Sequence, residues 1–160
     1  MAVDMFLKID GIKGESQDKK HKDEIDLMSW SWGASNAGSH SAGGGGGAGK
    51  VSMQDFHFTM QLNKATPELM LACATGKHIP SAVLVCRKAG GEQQEYLEVK
   101  FSDLLVSSYQ TGNGSGGDIP VESVSLNFSK IEYAYKPQDD KGKLGAAVKA
   151  GYDLKKNTKV

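Results

Sequence analysis

The sequence predicts a mainly β protein: a small antiparallel β-barrel of two sheets with one short flanking α-helix. Three observations predict it. Apolar and polar residues alternate with period two along most of the chain. Several alternating runs change phase midway, as strands do where they bulge or bend from one sheet into another. Only one stretch, residues 66–76, carries helix punctuation.

The elements follow in order. Val3, Met5, Leu7 and Ile9 alternate with Asp4, Phe6 and Lys8, a first half-buried strand. Residues 14–24 form a charged loop, expected to be solvated. In the second strand, residues 25–33, Ile25 and Leu27 face one way, while Met28, Trp30 and Trp32 take the opposite phase. The third, 51–62, switches between Met53 and Phe56. Residues 82–88 are a compact apolar run expected at the centre of a sheet. The fifth strand, 95–108, switches between Phe101 and Leu104. The sixth, 121–136, switches between Phe128 and Ile131, and Tyr133 and Tyr135 continue the new phase. Residues 148–156 close the set. A strict period of two cannot put both halves of such strands on one face. Each either bulges, or bends between sheets, or buries one half in the protomer and the other in a partner. In the helix, Thr66 is the expected N-cap, Pro67 suits the first turn, Glu68 complements the dipole and Gly76 the stop. Leu69 and Cys73 share its buried face, which Met70 and Leu71 broaden.

The chain of 160 residues is expected to form a single domain, 1–160, with glycine-rich loops at about 36–50 and 112–118. Nineteen basic residues balance nineteen acidic ones, so no net field draws the protein to nucleic acid or to lipid. The balance is uneven: six lysines stand against Asp153 alone from Lys141 onward, a solvated Lys-rich tail. Cys73 and Cys86 sit in apolar runs and read as small core residues. The start of the chain has no cleavage signal, and no run reaches membrane-spanning length, so neither export by signal peptide nor membrane insertion is expected.

Motifs that carry chemistry are few. Gly44-x4-Gly49-Lys50 has the spacing of a phosphate-binding loop, but Val51 stands where such a loop needs a hydroxyl for Mg²⁺. A strand-like run follows it instead of a helix whose N–H groups would hold phosphate. The reading is a long loop between strands. His21, His40, His57 and His78 show no metal-ligand spacing, and no CxxC occurs. Asp18, His21 and Glu24 form the nearest thing to a ligand cluster, but they lie among lysines. Cys73 and His78 are separated by the helix stop, and the acids form no visible catalytic pair. Trp30 and Trp32 share one strand face, which suits core packing or a sugar-binding platform. No enzyme, cofactor or metal is expected.

Several segments together carry a resemblance. Gly14-Glu-Ser-Gln-Asp-Lys-Lys-His21 with Glu24-Ile25, Ser29-Trp-Ser-Trp-Gly33, the glycine tract, Gly76-Lys-His-Ile-Pro80 and Arg87-Lys-Ala-Gly-Gly91 stand in order. Glu95-Tyr-Leu97, Leu105-Val-Ser-Ser108, Glu122-Ser-Val-Ser-Leu-Asn-Phe128, Tyr135-Lys-Pro-Gln138 and Gly151-Tyr-Asp-Leu-Lys-Lys-Asn157 continue the series. Nearly end to end, the chain resembles the type VI secretion tube proteins, also called haemolysin-coregulated proteins. Some members have Trp where Tyr152 stands.

The resemblance implies a structural part with no catalytic residue to carry over. It implies hexameric rings that stack into a tube, a contractile sheath around it, a spike protein at its tip, and small effector proteins in its lumen. It also implies export by the machine itself, from the cytoplasm to the outside, without a signal peptide. On this picture Gly43, Gly44, Gly45, Gly46, Gly47, Gly49 and Lys50 form a loop that reaches the adjoining ring. If Trp30 and Trp32 point inward, Ser29 and Ser31 point outward on the same strand, toward the lumen and its cargo. The alternative is a monomeric all-β binding module for a carbohydrate or protein ligand.

Overall fold

A computed structural model describes residues 3–38, 50–88 and 93–160. Strands β1 (Val3–Ile9), β7 (Ile79–Lys88), β8 (Glu95–Gly112) and β9 (Val121–Tyr135) pair antiparallel in the order β1-β7-β8-β9. The sheet continues past β1 to β2 (Ile25–Asp26), and past β9 to β10 (Val148–Asp153) and β11 (Thr158–Lys159). The first half of β9 also pairs with β6 (Phe56–Gln61), and β6 with β3 (Ser29–Ser31). A separate two-stranded sheet joins β4 (Ala34–Asn36) to β5 (Val51–Met53). The run 82–88 is central as expected, within a strand that starts earlier, at Ile79.

The phase switches are bends. At Leu27–Met28 the chain leaves one edge for another: Leu27 N–H donates to Met5 at 2.9 Å, and Met28 N–H to Thr59 at 2.8 Å. The expected third strand divides at Gln54–Asp55 into β5 and β6, which belong to different sheets. β8 and β9 turn the same corner together. Asp103 adopts φ 50°, Leu104 pairs with Phe128, and Phe101 with Ile131, so all four apolar side chains reach one core. The barrel is not sealed by a continuous ladder. Between β2 and β3 only the backbone of Leu27–Met28 links the two edges.

Inside lies an aromatic spine. Ring centroids are 4.7 Å apart for Phe56–Phe101 and 4.9 Å for Phe101–Phe128. Each fully buried Phe contributes about 1.5–3 kcal/mol by leaving water. Trp30 packs on Phe56, and Trp32 sits between Phe128 and Tyr133, to whose hydroxyl its indole N–H donates. Both tryptophans therefore point inward.

Three expectations need correction. Helix α1 (Thr66–Thr75) is flanked by Ala65 at its N-cap, and no side chain caps it. Thr66 is the first helical residue, and its hydroxyl donates to the Glu122 carboxylate instead. Gly76 does end the helix, with φ 63° in the left-handed region that glycine adopts without Cβ strain. The buried helix face is Leu69 and Ala72, with Cys73 half-buried, while Met70 and Leu71 are exposed. Residues 34–36, between the expected second strand and the glycine-rich loop expected from about 36, are strand β4.

The loop 14–24 is not solvated as a whole. It folds over the outer face of β1 and β7, burying Ser16 and His21. Gly14 permits this, since a Cβ there would lie 2.5 Å from the Glu24 carbonyl oxygen.

Candidate assembly surfaces

β3, β6, the first half of β9 and the end of β8 make a four-stranded sheet with two unlike faces. Alternation turns Trp30, Phe56, Phe58, Met60, Val124 and Leu126 inward. It leaves Ser29, Ser31, His57, Thr59 and Ser123 on the other side, lining a shallow concavity of about 450 Å³. Ser29 and Ser31 are both exposed, opposite Thr59 and His57 respectively. The Ser29 and Thr59 hydroxyls hydrogen-bond at 2.6 Å, and the Ser125 hydroxyl pairs with His57 Nδ1. Asp55 accepts from Ser107 Oγ at 2.6 Å and Asn127 Nδ2 at 2.8 Å, so it does not orient His57. Among the described residues no acid is hydrogen-bonded to His57, and Ser125 is buried. The face is rich in hydroxyls.

Among the described residues, two edges of this sheet lack a strand partner. β3 pairs only with β6. β7 accompanies β8 only as far as the Ile79–Leu104 pair, so residues 105–112 of β8 have β9 on one side and, among the described residues, no strand on the other. The free edges stand on opposite flanks of the four strands.

The two ends of the sheet also differ. Past Ser31 and before Phe56 the hairpin continues as the β4–β5 arm, with Gln54 N–H donating to Gly33 at 2.8 Å across its base. Ala34, Ser35, Asn36 and Ser52 on the arm are exposed, as is Lys50 beyond it. Gly43, Gly44, Gly45, Gly46, Gly47 and Gly49 lie outside the described residues. A strand, β5, follows Lys50, so no helix N-terminus stands there to hold a phosphate. At the other end Met28, Leu62, Ile119 and Val121 are exposed apolar residues.

The opposite side of the molecule is sealed by a polar latch that sequence reading missed. Arg87, 2% exposed, stacks its guanidinium over Phe6 at 4.8 Å. Its Nη1 donates to Asp18 at 3.0 Å, and its Nε to Asp4 at 3.3 Å. The hydrogen bond from Arg87 holds the Asp18 carboxyl down at about 2. His21 lies flat on Phe6 at 4.4 Å, with Nδ1 3.0 Å from Glu24 and Nε2 2.7 Å from Glu95. Asp18, His21 and Glu24 are therefore engaged in packing, and no metal-holding cluster occurs among the described residues. His78 pairs with Asp103 at 3.0 Å, away from any partnership with Cys73. The hydrogen bond from His78 lowers the Asp103 pKa, helped by the nearby charge of Lys155. Among the described residues no helix is long and apolar enough to cross a membrane.

The described residues form a one-helix β domain with a hydroxyl-rich sheet face, and no catalytic group is assembled among them. Residues 6–135 match the family described as "Type VI secretion system effector, Hcp". The chain is 53% identical over 159 residues to Protein hcp1 of Pseudomonas aeruginosa, covering 98% of each chain. Among solved structures it is similar to Hcp1 from Salmonella typhimurium, with TM-score 0.82 and 41% identity over the full length of both. It is also similar to a type six secretion system protein, with TM-score 0.93 and 32% identity, covering 99% of this chain and 100% of that one. The chain belongs to the Hcp family of type VI secretion tube proteins.

Proposed function

We propose that this chain builds hexameric rings that stack into the type VI tube, and that the tube is exported with the machine and carries small effectors in its lumen. The observation that carries this reading is the pair of unpartnered edges on opposite flanks of the four-stranded sheet. An exposed strand edge is a template for pairing with another chain. Two unlike edges on opposite flanks give a heterologous contact, β3 of one copy beside the end of β8 in the next, which closes into a ring when the rotation allows. The sheets then join into one continuous wall, with Ser29 and Ser31 on its open face toward the lumen.

Stacking uses the two ends of the sheet. Among the described residues the β4–β5 arm has three strand pairs, and a two-stranded hairpin alone is marginal in water. The adjoining ring supplies a cover for it, so Lys50 and the glycine tract form the stacking loop. Contractile sheath outside and spike at the tip complete the set of partners. The monomeric sugar-binding reading loses its platform, because Trp30 and Trp32 both pack on the core.

Cysteine pairs test ring closure. Ser31→Cys combined with Gln110→Cys, and Ser29→Cys with Ser108→Cys, place thiols on the facing edges. Oxidation is expected to give ladders ending at a closed ring on non-reducing gels for at least one pair, with neither single variant laddering. Monomers from both pairs at high protein concentration would refute the edge-to-edge ring.

A further inference from the structure

Glu122 is the most deeply buried acid of the four-stranded sheet, at 0% exposure, and assembly as described above makes no use of it. It sits in β9 between Met60 of β6 and Thr111 of β8, facing the core. One carboxylate oxygen accepts from the Thr66 hydroxyl at the start of α1, and the other from the Tyr109 hydroxyl on β8. The Thr66 oxygen in turn accepts from Asn63 N–H at 3.2 Å. Both partners of the carboxylate are neutral hydroxyls, so the group is satisfied but costly to bury. Replacing a whole buried polar set by apolar residues often leaves stability unchanged or raised, whereas removing one member leaves its partners unsatisfied; the best-attested use of such a set is to fix a register.

The register in question is that of the free edge. β8 carries a bulge at Ser107: Val106 pairs with Leu126, but Ser108 pairs with Ser125 and Tyr109 with Val124. The extra residue turns Tyr109 inward, diagonal to Glu122 on the same face and within reach of an aromatic side chain. Without it Tyr109 would sit opposite Ser123 and face outward. Hydrophobic patterning barely decides between the two, because Ser107, Ser108, Gln110, Thr111 and Gly112 offer no apolar alternative. A slip by one residue flips every side chain of the tail and exchanges the backbone groups it presents to a neighbour. Burial, and after it the Glu122 carboxylate, push the Tyr109 pKa up, consistent with a phenol that stays protonated and donating.

We infer that Glu122 is a positioning residue for assembly: through Tyr109 it locks the register of the β8 free edge that the next subunit must pair with, and through Thr66 it ties that edge to helix α1. This inference rests on the edge-to-edge ring.

The test compares Glu122→Leu, Glu122→Gln and Tyr109→Phe with the wild-type chain, measuring monomer unfolding, ring mass against dilution, and hydrogen exchange at residues 107–112. Glu122→Leu and Tyr109→Phe are expected to keep a cooperative fold but to dissociate at protein concentrations at least tenfold higher than wild type. Their amides at 107–112 should exchange at least tenfold faster. Glu122→Gln, which retains an amide to bond both hydroxyls, should restore most of the ring. A role in monomer stability alone would lower the melting temperature and leave ring mass and edge exchange unmoved, which overturns the inference. Should Glu122→Leu fail to fold, Tyr109→Phe, which loses one hydroxyl, decides the same question. If wild type itself forms no ring, the edge-to-edge reading fails. If wild type rings and the cysteine pairs ladder while these variants match it, only the role of Glu122 falls.

Discussion

On the half of the sheet built from β1, β7 and the first part of β8, the chain's own loop covers part of the outer face, at Phe6, Val85 and Arg87, while Lys8, Glu98 and Lys100 stay exposed. On the half built from β3, β6, the first part of β9 and the end of β8, no described segment covers the outer face. The shared side is the same in kind: Leu7, Leu84 and Phe101 from one half meet Phe56, Met60 and Leu126 from the other. The other sides differ. Phe6 and Val85 are buried under the loop 14–24 and fastened by Arg87, whereas Ser29, Ser31, Thr59 and Ser123 stand bare. The chain's own loop packs on one outer sheet face and not on the other, and the proposed assembly uses the second.

Substitutions separate the halves. Phe101→Ala removes the ring between Phe56 and Phe128 and should cost about 3–5 kcal/mol, read by denaturant unfolding, with assembly lost along with the fold. Arg87→Met strands Asp18 and Asp4. The midpoint of denaturant unfolding should fall, by less than for Phe101→Ala, because Asp4 and Asp18 both keep access to water. Ring mass at neutral pH should not change.

The latch also carries a pH signature. Asp18 has its ordinary value of 3.8 in the unfolded chain and about 2 when folded, so its contribution is complete above about pH 4 and lost as pH falls toward 2. Acid titration of wild-type stability should show that loss, and Arg87→Met should flatten it. Smallest in its effect on the fold is Ser31→Trp, expected within about 0.5 kcal/mol of wild-type stability because the site is exposed. It should nevertheless alter ring assembly or effector retention, measured by mass and by co-purification. No change in either would remove Ser31 from the lumen wall.

The sequence revealed the bends better than the surfaces. Phase breaks at Leu27–Met28, Met53–Phe56, Phe101–Leu104 and Phe128–Ile131 are local patterns, and each marks a real turn between sheet regions. Period two put Trp30 and Trp32 on one face and Ser29 and Ser31 on the other, but which face turns inward is seen only in the packing of the tryptophans on Phe56 and Phe128. The latch was hidden because its charges are far apart in sequence: Arg87 meets Asp18 across 69 positions, and the lysines beside Asp18 made the loop look solvated. Glu122 was hidden for the opposite reason, since an acid in an alternating strand reads as solvent-facing until Thr66 and Tyr109 are seen to hold it. In the helix, Met70 and Leu71 misled because apolar character alone does not say which side of a short helix meets the sheet.

The central claim is that the bare face and free edges are assembly surfaces. Sedimentation of the purified protein tests it most directly. The account predicts a particle about six times the 17.1 kDa protomer mass, with ring views in negative stain. A monomer that persists at the highest attainable concentration would contradict it.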